Sequence, residues 1–295
     1  MSIFESIANL SLWWVGVIVC ALWVGRCLLR RYENVVAKQA AEIFESLAIA
    51  GALVFFIIRP FIVQSFFIPS ESMVPTLQIS DHIMVNKFLY RVSQPKPGDV
   101  IVFRSPKNAM PDGIQRDFIK RVVAVPGDVV RITPGRVLVD KGELDHMAVR
   151  NELSDITSVD QSSAIKFTRS AVYVDGKAVS RAKLAAELGI NISRVHIEPG
   201  TVYVNGKART EPFTAEDTDK PYPIMSGADA TPTEWLTKDS EGRTCVKIPK
   251  GRLLVMGDNR NNSNDSRFWG LLDRRSVLGK AMFSYWPLGR VGVVR

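Results

Sequence analysis

The sequence has few of the residues on which metal and thiol chemistry depend. It contains only three cysteines and three histidines among 295 residues. No Cys-x-x-Cys pair occurs, and Cys245 is the one cysteine after residue 27, so the later part of the chain cannot hold an internal disulfide framework. The histidines form no HExxH motif, and the chain has neither a GxSxG motif nor a glycine-rich phosphate loop. We therefore expect no metal and no cofactor.

Long runs of one charge are also absent. The net charge is +8, but no block of five or more Lys and Arg residues occurs. Basic and acidic residues are mixed through residues 80–295, which is typical of an ordinary solvated surface. We expect no nucleic-acid partner, although basic residues beside a membrane could meet anionic lipid.

Apolar residues, in contrast, are concentrated near the N-terminus. Residues 7–25 carry no charge, which is close to the length that spans a bilayer, and a second apolar run covers residues 47–68. We predict two transmembrane helices at about 7–27 and 40–60, the second ending at Pro60. A buried hydrophobic hairpin is the alternative. The first run has no Lys or Arg before it, which argues against a cleaved signal peptide.

Positive charge follows the first apolar run, at Arg26, Arg30, Arg31 and Lys38. By the positive-inside rule the short loop between the helices faces the cytoplasm. The N-terminus and everything after the second helix are then expected outside, and lipid is an expected partner.

The rest of the chain has a β pattern. Short alternating runs bounded by turn residues predict strands at 61–68, 82–86, 100–103, 117–125, 129–132, 252–256 and 278–286. Asp175-Gly176 and Asn205-Gly206 predict tight hairpins. One helix is predicted at 180–188, with Ser180 as N-cap and Gly189 after its end. Residues 209–244 are interpreted as an exposed loop or extended hairpin.

Three polar features could carry chemistry. Ser72 lies between prolines where the second apolar run stops, although serine near proline is usually part of a turn. Lys120 lies on a predicted strand, on the same face as Phe118 and Val122. Such a lysine either snorkels to solvent or is buried, and a buried amine of lowered pKa can accept a proton from serine. The polar loop 257–267 could position such a pair through Ser263, Asp265 and Arg267.

Three segments resemble, in order, the signature boxes of bacterial type I signal peptidases. They are PSESMVPTL at 69–77, FIKRVVAVPGD at 118–128 and GDNRNNSNDSRFWG at 257–270. The resemblance implies a mainly β signal-peptidase-like fold anchored by two transmembrane helices. Its catalytic core would comprise residues 61–132 and 245–295. A β-rich, non-catalytic subdomain would be inserted at 133–244, and residues 1–60 would form the anchor.

The resemblance implies a membrane-bound endopeptidase that removes signal peptides from exported preproteins at the outer face of the bacterial cytoplasmic membrane. Ser72 would be the nucleophile and Lys120 its general base, with the Ser72 N–H and the Ser70 hydroxyl as the oxyanion hole. Ser263 would orient Lys120, with Asp265 and Arg267 in support. Apolar side chains would line pockets for small residues before the cut: Phe66, Ile68, Met73, Leu77, Phe118 and Ile119.

Some features stay open. Glu71 stands where the family commonly has glycine, and the sequence gives its charge no role. The secretion translocon is a further candidate partner. Two other functions would fit parts of the pattern: a non-catalytic membrane β-domain that binds exported chains, and a self-cleaving serine–lysine peptidase of the repressor type. The three boxes argue against the first, and the two apolar runs without a DNA-binding helix pair argue against the second.

Overall fold

A computed structural model describes residues 12–32, 34–58, 62–139, 142–153, 163–226 and 230–295. Its first elements are helices α1 (Leu12–Leu29) and α2 (Val35–Ala52), and α2 continues into a π-helical segment at Leu53–Ile58. The second helix starts earlier than predicted because Asn34 caps it: its side chain accepts a hydrogen bond from Ala37 N at 2.6 Å. The predicted end at Pro60 lies outside the described residues.

The two helices pack against each other through small residues. A Cβ placed on Gly25 would lie 3.5 Å from the Phe44 ring, so glycine allows close contact there. The Arg26 guanidinium pairs with Glu45 at 2.8 Å across the hairpin. Large apolar side chains on the outer faces are exposed, with Trp13 at 80%. Within the described part of the chain, no helix is both long and apolar enough to cross a membrane. The two spans stay a prediction.

The rest of the described chain is mainly β and contains short helices. The α-helices are α3 (Leu89–Val92), α4 (His146–Leu153), α5 (Arg181–Glu187) and α6 (Ser266–Trp269). The 3-10 turns lie at Glu71–Met73, Lys107–Ala109, Ile192–Arg194, Thr233–Trp235, Arg274–Ser276 and Leu288–Arg290.

The strands of the described residues are numbered in chain order. They are β1 (Val63–Phe67), β2 (His82–Asn86), β3 (Val100–Arg104), β4 (Asp117–Ala124), β5 (Val129–Thr133), β6 (Arg136–Val139), β7 (Gly142–Leu144), β8 (Ile165–Phe167), β9 (Ala171–Val174), β10 (Lys177–Ser180), β11 (His196–Glu198), β12 (Thr201–Val204), β13 (Lys207–Arg209), β14 (Leu236–Lys238), β15 (Thr244–Lys247), β16 (Arg252–Met256), β17 (Leu272–Asp273), β18 (Val277–Trp286) and β19 (Gly292–Val293). Most of the predicted strands are present, within one or two residues at their ends.

The largest sheet has the strand order β1-β2-β18-β3-β4-β16-β17, with β19 added beside β18, and all its pairs are antiparallel. Its residues alternate between two apolar clusters. Val100 and Val102 of β3 pack with Ile68 and Met73, while Ile101 on the same strand packs against the opposite cluster. This alternation is the period of two that a strand buried on both faces imposes.

The predicted insert contributes three smaller sheets. Two have three strands each, in the orders β10-β9-β8 and β11-β6-β7, and share a core around Phe167 and Leu184. The third has the order β13-β12-β5-β15-β14. Most of β5 and most of β15 lie outside the predicted insert 133–244, so this sheet joins the two regions.

Local turn chemistry in this region follows the prediction. Asp175-Gly176 and Asn205-Gly206 have positive φ at both residues and connect paired strands. Ser180 caps α5 by accepting from Lys183 N at 3.2 Å, and Gly189 follows the helix with φ +63°. The sequence analysis missed α4, whose buried side chains include His146.

The prediction of an exposed loop at 209–244 is wrong in its first half. Thr214, Glu216 and Thr218 are buried there although they are polar. Tyr222 is also buried and its segment pairs with β5 through Ile132. We call residues 210–226 the strap, because they cross the polar loop that follows β16.

Candidate active site

Ser72 lies in a short turn that follows the end of β1, a strand of the large sheet. The chain around it is closed by two backbone hydrogen bonds of 2.9 Å, from Ile68 N to Asp81 O and from Ser80 N to Ile68 O. Ser72 is only 9% exposed, and its neighbour Met73 is fully buried. The apolar residues on either side of Ser72 hold its hydroxyl in place at the surface of the core.

Lys120 lies in β4, between β3 and β16 in the centre of the same sheet. It is buried, and its Nζ donates to Ser72 Oγ at 2.7 Å and to the Ile119 carbonyl at 2.9 Å. Burial lowers the pKa of the Lys120 ammonium to about 8, against an opposing effect of the Asp265 and Asp258 carboxylates. Of the two alternatives from the sequence, the structure has the buried lysine.

The polar loop reaches this pair because of strand register. Met256, the last residue of β16, pairs with Arg121, so the loop starts beside Lys120. Gly257 is needed at that point, since a Cβ there would lie 2.4 Å from the Ser72 carbonyl oxygen and 2.3 Å from Ser263 Oγ. Asn259 N then donates to the Ser72 carbonyl at 3.2 Å, which ties the loop to the turn.

Asp265 is the buried centre of the loop. Its carboxylate accepts from Ser263 Oγ at 2.8 Å, from Gly257 N at 3.1 Å and from Arg267 Nε at 2.9 Å. Arg267 holds the pKa of this carboxyl below its ordinary value even though burial opposes the shift. The Ser263 hydroxyl donates to Asp265, whose carboxylate in turn acts on Lys120, and the predicted role of Ser263 in orienting Lys120 stays a prediction.

Ser70, the predicted second oxyanion donor, is exposed two residues before Ser72. Its Oγ donates to Ser72 Oγ at 3.4 Å, a long hydrogen bond. The structure therefore brings both hydroxyls to one side of the turn. The role of Ser70 as an oxyanion donor stays a prediction.

The predicted pocket residues do not all share one environment. Ile68, Met73, Leu77 and Ile119 belong to a single buried cluster, and Phe66 packs against it. Phe118 instead packs against the cluster on the other face of the sheet, with its ring centroid 5.6 Å from Lys120 Nζ. Met73 and Leu77 are fully buried in this structure. Their role in a substrate pocket stays a prediction.

The sequence analysis missed a second buried ion pair beside the site. Arg121 donates to Asp258 at 2.7 and 2.6 Å, and Thr76 Oγ1 donates to the same carboxylate at 2.6 Å. The Arg121 guanidinium also lies 3.9 Å from the Phe213 ring centroid in the strap. These contacts connect β4, the Ser72 turn and the polar loop. The sequence offered one signal for this ion pair, namely that Arg121 is a charged residue next to Lys120 on a strand with buried neighbours.

Glu71 also acquires contacts that the sequence did not indicate. Its carboxylate accepts from Asn262 Nδ2 at 3.2 Å, and its backbone carbonyl accepts from Asn259 Nδ2 at 3.2 Å. The Glu71 side chain thus faces the polar loop, and the contacts of Glu71 join that loop to the turn that holds Ser72.

A serine hydroxyl in contact with a buried amine is the arrangement found in serine peptidases that use lysine in place of histidine. The amine has to be neutral to accept the hydroxyl proton, and burial favours the neutral form here. The site, on a mainly β domain, has the geometry that a serine peptidase of the serine–lysine type would use, and the roles of the two residues stay a prediction.

Comparison with known proteins assigns the family. The sequence model described as "Signal peptidase, peptidase S26" matches residues 40–168 and 188–286. Signal peptidase I of Aquifex aeolicus (strain VF5) is 34% identical over 260 residues, which cover 84% of each chain. Signal peptidase I of Pseudomonas fluorescens is 29% identical over 316 residues, with 92% of this chain and 89% of that protein covered. The chain belongs to the signal peptidase family, peptidase S26, and its activity is signal peptide cleavage as a serine peptidase.

A crystal structure of a signal peptidase I from Enterococcus faecalis also matches, at 18% identity. The match covers 64% of this chain and 97% of that chain, with a TM-score of 0.24.

Proposed function

We propose that Ser72 is the nucleophile and Lys120 the general base of a membrane-bound signal peptidase. The observation that carries the proposal is the 2.7 Å contact between Ser72 Oγ and the buried Lys120 amine, whose pKa is lowered to about 8. A neutral amine at that distance can take the hydroxyl proton as the oxygen attacks.

In the first half of the proposed reaction, Ser72 Oγ attacks the carbonyl carbon of the scissile peptide bond. The hydroxyl proton passes to Lys120 Nζ, and the carbonyl oxygen becomes an oxyanion. The Ser72 N–H and the Ser70 hydroxyl would donate to that oxygen, which stabilises the charge that develops. As the C–N bond breaks, Lys120 returns its proton to the leaving amine, and the signal peptide stays on Ser72 as an ester.

In the second half, Lys120 accepts a proton from a water molecule that attacks the ester carbonyl. The ester bond breaks, the proton moves to Ser72 Oγ, and the signal peptide leaves with a new carboxyl terminus. Ser263, Asp265 and Arg267 would support this cycle from the polar loop, since Asp265 places a negative charge near the lysine. That charge favours the ammonium form which the leaving-group step requires.

For the substrate, we propose signal peptides of exported preproteins with small residues, alanine above all, at two positions before the cut. Support comes from the apolar cluster beside the Ser72 turn, which contains Ile68, Met73, Leu77 and Ile119, with Phe66 packed against it. Phe118 of the predicted pocket set packs against the other face of the sheet. Larger side chains would clash with closely packed walls.

For localisation, we propose that α1 and α2 anchor the chain in the bacterial cytoplasmic membrane, with the catalytic domain on the outer face. Support comes from exposed apolar side chains on both helices, among them Trp13, Trp14, Trp23, Leu47 and Phe56. Such side chains gain free energy when lipid covers them. The secretion translocon would be a neighbour there.

The catalytic proposal is tested by cleavage of a model preprotein with wild type, Ser72→Ala and Lys120→Ala, and by sequencing the new N-terminus. We expect both variants to lose at least about 10³-fold in kcat/KM, because neither can carry out the acylation step. Lys183→Ala is the matched control, since Lys183 is exposed on α5. Full cleavage by either site variant would refute the proposal.

The anchor proposal has a separate test. Membranes that contain the full chain are washed with alkaline carbonate, and the Ser72→Ala variant is followed in parallel. We expect both proteins to stay with the lipid, since the exposed helix faces do not depend on catalysis. Release of the wild-type chain by the wash would contradict the anchor and leave the catalytic proposal standing.

A further inference from the structure

A basic cavity lies at the end of the large sheet where β1 begins. Lys87 N donates to the Ile62 carbonyl at 2.8 Å, and Asn86 pairs with Val63 at the start of β1. Ile62 is four residues beyond the end of the helical segment at Ile58. A short stretch of chain therefore joins this end of the large sheet to the helical segment. Ser72 lies beyond the opposite end of β1, roughly 16 Å away along a five-residue strand.

The cavity has a volume of about 230 Å³. Its walls include four cationic side chains, Lys87, Arg91, Arg274 and Arg275, together with Tyr90. Among the lining residues that the structure describes, none is Asp or Glu. Four cations around one small concave space produce a positive potential that favours an anion.

The geometry holds one of these charges firmly in place. The Arg274 guanidinium donates to the carbonyl oxygens of Tyr90 at 2.9 Å and Ser93 at 3.0 Å, and also to the Gln94 side chain. These acceptors are neutral, so they fix the guanidinium without cancelling its charge. Arg275 pairs with Asp273 at 2.8 Å, but its side chain is 90% exposed and water screens that pair.

The surface beside the cavity is apolar as well as basic. Phe88 precedes helix α3 and Val92 is its last residue, and they are 47% and 72% exposed. An exposed phenylalanine next to lysine and arginine is typical of a surface that meets lipid headgroups and the acyl boundary below them. A site for a soluble anion would have no need of these two side chains.

We propose that this cavity binds the phosphate of an anionic phospholipid headgroup in the leaflet that faces the catalytic domain. The inference rests on the proposed function, because it takes the helical hairpin as a membrane anchor. Lys87, Arg91, Arg274 and Arg275 neutralise the phosphate, while Phe88 and Val92 rest in the interface. The contact fixes the start of β1 at the membrane surface and thereby sets the position of the strand that leads to Ser72.

The test uses the full chain in micelles of a neutral detergent. Short-chain phosphatidylglycerol, short-chain phosphatidylcholine and inorganic phosphate are titrated in turn, and binding is measured by calorimetry. We expect phosphatidylglycerol to bind more tightly than the other two. The double variant Lys87→Gln/Arg91→Gln should bind it about 30-fold more weakly, since each basic residue near a membrane surface contributes about 1 kcal/mol.

The matched control is Lys177→Gln/Lys183→Gln, which removes the same charge from exposed positions in the insert. It should bind phosphatidylglycerol as the wild type does. Arg275→Gln is a second probe that leaves packing intact because the side chain is exposed, and it should weaken binding about 5-fold by the same estimate. Each protein is checked by thermal unfolding.

The outcomes separate the two proposals. Equal binding of the two phospholipids, or equal effects of the two double variants, would overturn the headgroup site. Binding of inorganic phosphate as tightly as the lipid would assign the cavity to a free anion instead. Preprotein cleavage is measured on the same samples. If cleavage persists while lipid preference is absent, the inference fails and the proposed function stands.

Discussion

At the scale of single residues, the environment of Lys120 controls the proposed chemistry. A lysine in water is protonated at neutral pH and cannot act as a base. Desolvation in the sheet lowers its pKa to about 8, and the carboxylate of Asp265 keeps the shift from being larger. The protein therefore balances burial against a nearby negative charge.

This balance predicts the pH dependence of cleavage. Only the neutral amine accepts the Ser72 proton, so kcat/KM should fall about tenfold for each pH unit below about 8 and level off above it. Asp265→Asn should move this decline to lower pH, because it removes a carboxylate that raises the Lys120 pKa. The measurement is kcat/KM for a signal-peptide substrate between pH 5.5 and 9.5. A rate that stays constant over that range would contradict the role of Lys120.

Glu71 gives a second residue-scale prediction. Its carboxylate accepts a hydrogen bond from Asn262, and this contact holds the polar loop against the Ser72 turn. Glu71→Ala should lower kcat/KM about 5-fold, which corresponds to one hydrogen bond of about 1 kcal/mol. Glu71→Gln keeps an acceptor and should stay near the wild-type rate. Equal losses in both variants would show that the charge matters and the hydrogen bond does not.

At the scale of elements, helix α4 introduces a histidine that the proposed mechanism does not use. His146 is buried, and its ring packs on Phe167 with centroids 4.7 Å apart. Burial lowers its pKa to about 4, while Asp219 and Asp145 oppose the shift and Arg150 adds to it. The neutral ring is therefore part of the core of the insert.

The stability of the insert should then depend on pH. The unfolded state takes up the His146 proton near pH 6.5 and the folded state only near pH 4. Stability is accordingly full above pH 6.5 and is lost as the pH falls toward 4, by up to about 3 kcal/mol. Thermal unfolding of wild type and His146→Leu between pH 4 and 7 measures the effect, which the variant should lack. His196→Leu is the control, because His196 is exposed. Equal slopes for the three proteins would exclude this origin.

At the scale of the whole molecule, the strap connects the insert to the active site. Arg260 of the polar loop is buried and pairs with Glu211 at 2.5 and 2.7 Å, just after β13. Asn261 N donates to Glu216 at 3.0 Å, and Arg267 donates to Thr218 Oγ1 at 2.7 Å. A region that supplies no proposed catalytic group thus fixes the loop that supports the lysine.

A double-mutant cycle on Glu211→Gln and Arg260→Gln measures this connection. We expect a coupling energy of about 1–3 kcal/mol in the free energy of unfolding, since Arg260 is buried and Glu211 is largely shielded from solvent. Each single variant should also lower kcat/KM, because the polar loop loses a fixed partner. The exposed pair Arg275 and Asp273 provides a control cycle, with an expected coupling below about 1 kcal/mol. Additive effects at Glu211 and Arg260 would show that the strap is not coupled to the loop.

Features that depend on local chemistry follow from the sequence alone. Strands such as β2 and β16 follow from alternation, and the hairpin at Asn205-Gly206 follows from residues that tolerate positive φ. The cap of α5 by Ser180 is equally local. Ser72 and Lys120 were predicted as catalytic residues because their segments have a distinctive order along the chain.

Whether Lys120 is buried or reaches solvent depends on tertiary packing. The alternation of a strand gives the face on which a side chain lies, but the cover over that face comes from elsewhere in the chain. The contacts of Arg121, Asp258 and Glu71 also depend on distant parts of the chain. Strand pairing and the strap bring the contacting residues together. The energy of a buried charge depends on which partners fold around it, and a linear pattern does not specify them.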